Sequence, residues 1–239
     1  MILSFAGSDA RIVSAARKNN PYFFRDPDPE GDERRHKYLS DISKRVRFAA
    51  TDCEMMEYTA PYFEKVFLFR QPVSLDKFQF STAPTRDVPV LLHVPTDVVV
   101  KGTEYVFKAI ELLKAEGLKF EFRTKRQLTQ TQFYKELSDC DVYIDQIRCG
   151  SHGVTAVESM AMGKATVTYI RPDLVSKYPA DMPLVNANPD TIADVLRELI
   201  TDRAYRDAVS ARSRPYVEKY HDARIIAADM LDTYREIGY

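Results

Sequence analysis

Asp145-Gln-Ile-Arg-Cys-Gly-Ser-His-Gly-Val-Thr-Ala-Val-Glu-Ser-Met-Ala-Met-Gly-Lys164-Ala-Thr-Val167 is the stretch on which the reading of this chain turns. The apolar run that ends at Asp145 reads as a strand, the glycines Gly150 and Gly153 as the turn after it, and the small apolar residues 153–162 as a helix buried against a sheet. Residues 165–169 supply the next strand. Strand, glycine turn, helix and strand make a βαβ unit, whose helix start presents free backbone N–H groups to whatever lies beyond the strand ends. Glu158 stands in the middle of that helix. Burying a carboxylate without partners costs several kcal/mol. Either a ligand hydroxyl pair, such as a ribose diol, satisfies it, or it caps a neighbouring backbone segment or pairs with a lysine.

On both sides of this unit the pattern continues. Strand candidates at 88–94, 119–123, 141–145, 165–169 and 183–186 alternate with helical segments, the spacing of a parallel sheet with crossover helices. In the first of those helices Val106, Ala109, Ile110 and Leu113 recur at helical spacing on one face, and Gly117 supplies the stop. Further helices are predicted over 129–139, 191–201 and 222–237. Of only eight glycines, Gly102, Gly150 and Gly153 each follow a predicted strand end. Two such turns on one parallel sheet point to a phosphate-bearing ligand in the crevice beyond the strands.

Toward the N-terminus the texture changes at a polar stretch, Ser81-Thr-Ala-Pro-Thr-Arg-Asp87, which reads as a linker. We therefore expect two units, a shorter α/β segment over 1–84 and a Rossmann-like α/β domain over 85–239. The first holds a turn-rich loop over 19–31, a charged helix to about Lys44, and strands at 46–51 and 66–69 with a helix over 53–63 between them.

Bulk properties exclude several classes of partner. The formal charge of −1 and pI near 6.4 provide no field for nucleic acid or acidic lipid. No apolar run approaches the roughly 20 residues that span a bilayer, and the N-terminus lacks the parts of a signal peptide. A cytoplasmic protein, or one peripheral to the inner membrane face, is expected. Cys53, Cys140 and Cys149 are an odd set without CxxC spacing, which suits reduced buried thiols rather than disulfides or zinc.

Around the predicted crevice, Lys101 ends the run Val98-Val-Val-Lys and is either a phosphate ligand or solvated surface. His93 reads as a strand-end histidine, and His152, inside the turn, as either a ligand contact or a packed side chain. Arg123, Lys125 and Arg126 follow the next strand and either meet a base or phosphate or, more simply, form a solvated basic loop. Asp26 and Asp28 have the spacing of a metal-chelating carboxylate pair, yet their proline-rich setting reads more simply as a polar turn.

His93-Val-Pro-Thr, Val100-Lys-Gly-Thr103, Asp141-Val-Tyr-Ile-Asp-Gln146 and Glu158-Ser-Met-Ala-Met-Gly-Lys164 together resemble the C-terminal domain of the group 1 glycosyltransferases, a large retaining family with the two-domain GT-B fold. Gly7-Ser-Asp-Ala-Arg11 and Phe69-Arg-Gln-Pro-Val-Ser-Leu-Asp-Lys-Phe78 are similar to the later part of that family's N-terminal domain. The resemblance implies a transferase that moves a sugar from a nucleoside-diphosphate sugar to a glycan, glycolipid or other acceptor hydroxyl, with no metal required. By position, Lys101 would hold the diphosphate and Glu158 the ribose, as catalytic residues. Gly102, Thr103, Gly150, Ser151, His152, Gly153, Val154 and Thr155 would line the donor.

Three departures accompany the resemblance. The family has a glutamate where Gly150 stands, a basic residue where Asp97 and Val98 stand, and an N-terminal domain about twice as long as residues 1–84. They keep open an alternative, a catalytically degenerate GT-B protein that binds a nucleotide or a partner. Residues 1–84 would then meet a second copy or another chain. An epimerase on the same scaffold lacks acid–base residues here, and a dehydrogenase lacks GxGxxG after the first strand.

Overall fold

The structure is a computed structural model that describes residues 1–78, 80 and 86–238. Most of the predicted linker, residues 81–85, lies outside the described residues.

Two parallel sheets organise the chain. In the N-terminal half β1 (Ile2–Phe5), β2 (Phe48–Thr51) and β3 (Lys65–Leu68) lie in the order β1-β2-β3. The C-terminal half contains β4 (Val90–His93), β5 (Glu121–Thr124), β6 (Val142–Ile144), β7 (Ala165–Thr168) and β8 (Val185–Asn186), in the order β5-β4-β6-β7-β8. All five predicted strands of this half are present, four trimmed and the second shifted from 119–123 to Glu121–Thr124, and every pairing is parallel. Alternation of side chains sorts two cores onto the two faces. Val90, Leu92 and Tyr143 join one with Val157 and Met160, while Leu91, Val142, Ile144 and Val167 join the other with Val106, Ile110 and Leu113. The helix predicted from its apolar spacing is Thr103–Ala115, with those residues buried.

Several elements differ from the sequence reading. Val98–Lys101 is a single helical turn rather than a strand end, because Asp97 accepts hydrogen bonds from the Val99 and Val100 amides and nucleates it. The expected helix over 53–63 shrinks to Met56–Thr59. Unforeseen elements are β1, the Val13–Asn19 helix and the 18-residue Arg203–Tyr220 helix, which contains Pro215. Asp28 caps the Pro29–Ser43 helix by accepting from the Gly31 amide, so the Asp26 and Asp28 pair is a polar turn.

At the C-terminus the chain returns to the N-terminal half. Val73 exchanges backbone hydrogen bonds with His221 and Ala223 at 2.8 and 3.0 Å, and Glu236 of the final helix, Ala223–Glu236, pairs with Lys65. No helix among the described residues is long and apolar enough to cross a membrane.

Candidate functional site

β4 has β5 on one side and β6 on the other, so the connections leaving β4 and β6 part in opposite directions and open a crevice at their carboxyl ends. The two glycine turns lie there and touch. Gly102, at φ 71°, ends the Val98–Lys101 turn, and a Cβ on it would fall 2.7 Å from Ile147 Cγ1 and 2.9 Å from Arg148 Cγ. The Ile147 amide donates to the Lys101 carbonyl across the same contact. His93 fastens the base of the crevice. Its Nδ1–H donates to the Ile144 carbonyl, and its Nε2 accepts from the Thr103 hydroxyl, both at 2.9 Å, so it is a satisfied strand-end histidine.

The groups expected to cradle a phosphate converge on a carboxylate of the protein itself. Asp145 accepts from Lys101 Nζ at 2.5 Å, Thr155 Oγ1 at 2.8 Å and the Gly153 amide at 3.2 Å. Lys101 also reaches Gln146 Oε1 at 3.2 Å. Both charges are almost wholly buried. Burial pushes the Asp145 carboxyl up, but the Lys101 ammonium and the donors around it bring it below the usual carboxylate range. The sequence reading gave Lys101 a choice between phosphate and solvent. A cation fastened to a buried carboxylate corrects the solvated alternative and changes the terms of the other.

Glu158, on the Val154–Ala161 helix, is half-buried rather than fully buried and accepts from the Tyr134 hydroxyl at 2.8 Å. Burial pushes its carboxyl up, while the phenol bond opposes that shift. Tyr134 is held edge-on against Phe78, with centroids 5.1 Å apart, and itself accepts from Gln130. A carboxylate offers about four acceptor positions. One is used by Tyr134, and acceptor capacity remains for a pair of ligand hydroxyls.

Gly150 does not leave room for the glutamate that the resemblance puts there. It sits at φ 89°, and a Cβ would lie 2.4 Å from Arg171 Cγ and 3.2 Å from Asn20 Nδ2. Arg171 is buried and pairs with Glu57 at 2.6 Å and Asp173 at 2.8 Å. Asn20 donates to the Arg148 and Cys149 carbonyls. Ser151 donates to Glu54 Oε2 at 2.5 Å, and Arg11 holds both oxygens of that carboxylate at 2.8 and 2.9 Å. The turn is thus bolted to the N-terminal half. Asn20, Glu54, Glu57 and Arg171 carried no signal in the sequence, and Arg11 entered only within the Gly7–Arg11 resemblance, because each meets its partner through the tertiary fold.

The His152 side chain packs into this junction. Its ring lies 5.2 Å from Tyr178 and 5.7 Å from His221, beside a cavity of about 10 Å³ that suffices for one water. Gln71 Oε1, His152 Nδ1 and His221 Nε2 line that cavity's residues and have no hydrogen-bond partner among the described residues. Burial lowers the affinity of both imidazoles for protons, to about 3 for His221. A larger open cleft, about 700 Å³, lies between Tyr22, Tyr169, Asn186 and Asn188; it includes Asp173, the partner of Arg171, and none of the predicted site residues.

The basic loop is solvated as expected: Arg123 pairs with Glu121 and Asp139, and Lys125 with Glu136. All three cysteines are free and buried. Among the described residues no three His, Cys, Asp or Glu side chains are placed to hold a metal ion.

No family model matches the sequence, and no curated protein matches it. Solved structures do match the fold. Sucrose-phosphate synthase from Thermosynechococcus elongatus superposes with a TM-score of 0.72 at 15% identity over 99% of this chain and 67% of that one. TarM superposes at 0.67 and 14% identity over 97% of this chain and 54% of that one. Anabaena HepE, solved in complex with UDP-glucose, gives 0.67 and 12% identity over 87% of this chain and 70% of that one. The chain therefore has the GT-B fold of these glycosyltransferases and spans about half to two thirds of their length.

Proposed function

We propose that this chain is a glycosyltransferase, or the donor-binding part of one, which moves a sugar from a nucleoside-diphosphate sugar to an acceptor hydroxyl of a glycan, glycolipid or other glycoconjugate. Glu158 carries the reading. A half-buried carboxylate with one phenolic donor and spare acceptor capacity, placed at the switch point of a GT-B sheet, suits the diol of a nucleotide ribose. Residues 85–239 are the donor side in this reading, and residues 1–84 the acceptor side.

The chemistry asked of the site is electrostatic. The bond between the anomeric carbon and the donor's phosphate oxygen breaks, and charge gathers on the departing nucleoside diphosphate. Lys101 and the Gly153 amide, both shared with Asp145, and the backbone N–H groups of Val154 and Thr155 stabilise that charge. The acceptor oxygen forms the new bond to the anomeric carbon, and its proton passes to the leaving diphosphate or to solvent. Gly102, Thr103, Gly150, Ser151 and His152 contribute backbone to the donor's wall. The Thr103 and Ser151 hydroxyls are already engaged by His93 and Glu54, and the His152 ring is packed at the junction. No metal is assigned a step.

Calorimetry with uridine, guanosine and adenosine diphosphate sugars tests the donor site, with UDP-glucose the first choice because HepE holds it. Saturable binding of one base, lost in Glu158→Ala, is the expected result. An absence of binding at millimolar ligand, or binding indifferent to Glu158, would sink the assignment.

A second reading is favoured by Gly150, which has no room for a side chain, and by the Asp145–Lys101 pair. On it the protein binds a nucleotide or a partner chain but transfers nothing. Release of nucleoside diphosphate that depends on Lys101 excludes it.

A further inference from the structure

We infer that Asp145 is an internal counter-anion that sets the charge selectivity of the donor crevice, holding down its affinity for the diphosphate relative to the nucleoside. The inference rests on the donor-site reading above and goes beyond it in naming the residue that limits the site. Three donors that would serve a bound phosphate, the Lys101 ammonium, the Gly153 amide and the Thr155 hydroxyl, all point at one buried carboxylate.

The charges decide the consequence. Lys101 and Asp145 offset each other, and the Gly153 amide at the start of the Val154–Ala161 helix, where partial positive charge gathers, is also spent on Asp145. A diphosphate can draw on Lys101 only by sharing it with a carboxylate a few ångströms away. The two anions repel, and at a partly buried site that repulsion is screened far less than in water. Lys101 and the donors around it offset burial and bring the Asp145 carboxyl below the usual carboxylate range, so it is the charged form that a diphosphate meets. It cannot swing out to solvent without breaking all three hydrogen bonds, since its side chain is fully enclosed.

Neutralising Asp145 without changing its shape frees the cradle. Asp145→Asn keeps an oxygen acceptor for Lys101 and removes the competing charge. The protein and this variant are titrated calorimetrically with uridine, UMP and UDP, and with the guanosine and adenosine series if uridine proves the wrong base. In the native protein each added phosphate improves affinity less than about threefold. In the variant UDP binds at least about tenfold tighter than to the native protein, with the nucleoside unchanged. The native series alone decides the matter if the variant fails to fold. A gain of tenfold or more per phosphate in the native protein, lost in Glu158→Ala, overturns the role of Asp145 and leaves the donor site standing. Unchanged UDP affinity in a folded variant does the same. Absence of binding by every nucleoside and nucleotide to both proteins overturns the donor reading, and this inference with it.

Discussion

Arg171 lies across Gly150 so closely that a Cβ on the glycine would sit 2.4 Å from Arg171 Cγ, while the Arg171 amide donates to the Gly150 carbonyl at 2.9 Å. The guanidinium beyond that contact reaches Glu57 in the N-terminal half. The glycine turn is therefore shaped as much by the junction between the halves as by any ligand.

Gly150→Ala is expected to destabilise the protein by about 2 kcal/mol or more. Roughly 1–2 kcal/mol comes from placing an L-residue at positive φ, and displacement of the Arg171 stem adds to it. Urea denaturation of Gly150→Ala, Arg171→Ala and the double variant separates the two parts. A coupling energy near zero would mean that Arg171 moves aside freely, and the steric account would fail.

Glu54 joins Arg11 and Ser151 while only 1% exposed. Removing one partner of a buried ion pair leaves the other charge uncompensated, at a cost of about 3–5 kcal/mol. Glu54→Ala should lose stability on that scale, and Ser151→Ala, which deletes a neutral donor, about 1 kcal/mol. Denaturant midpoints for the two variants check the ranking. Equal losses would show that the Arg11 pair contributes little.

Acid should weaken the fold as the pH falls below about 6.5. Burial holds the His93 imidazole neutral and pushes its pKa down to about 4, from an ordinary value of 6.5. An unfolded chain takes up that proton near pH 6.5 and the folded chain only near pH 4. The contribution of neutral His93 is thus complete above pH 6.5 and is lost as the pH falls toward 4, by roughly 3 kcal/mol in all. His152 and His221, also shifted down by burial, add in the same direction. Stability measured at pH 7, 6 and 5 should decline steadily. In His93→Gln, unfolding at pH 5 should take up about one proton fewer. A flat profile would contradict the neutral, buried state of these rings.

Much of the C-terminal half was legible because its signals are local. Strands such as Val90–His93 are apolar runs, the Thr103–Ala115 helix repeats its buried face at helical spacing, and the glycine turn announces itself by composition. Signals that compete with the local pattern misled. Three consecutive valines at 98–100 suggest a strand by propensity, yet Asp97 caps them into a helical turn. Pro215 and a dense run of charges hid the Arg203–Tyr220 helix. Ile2–Phe5 is four residues long with a polar centre, and becomes a strand only by pairing in register with Phe48–Thr51.

The order of residues determined that this chain would form a parallel α/β sheet with glycine turns in the connections beyond two of its strands and a carboxylate, Glu158, in the helix after the second. Those features rest on periodicity, turn chemistry and spacing, which act over a few residues at a time. Tertiary structure decided what the charged groups of the crevice face. Lys101 and Asp145 stand 44 positions apart, and Glu54 and Ser151 stand 97. Lys101 meets Asp145 because β4 and β6 pair side by side, and Glu54 meets Ser151 because the two halves pack together; a buried charge takes whichever partner the packing brings within reach.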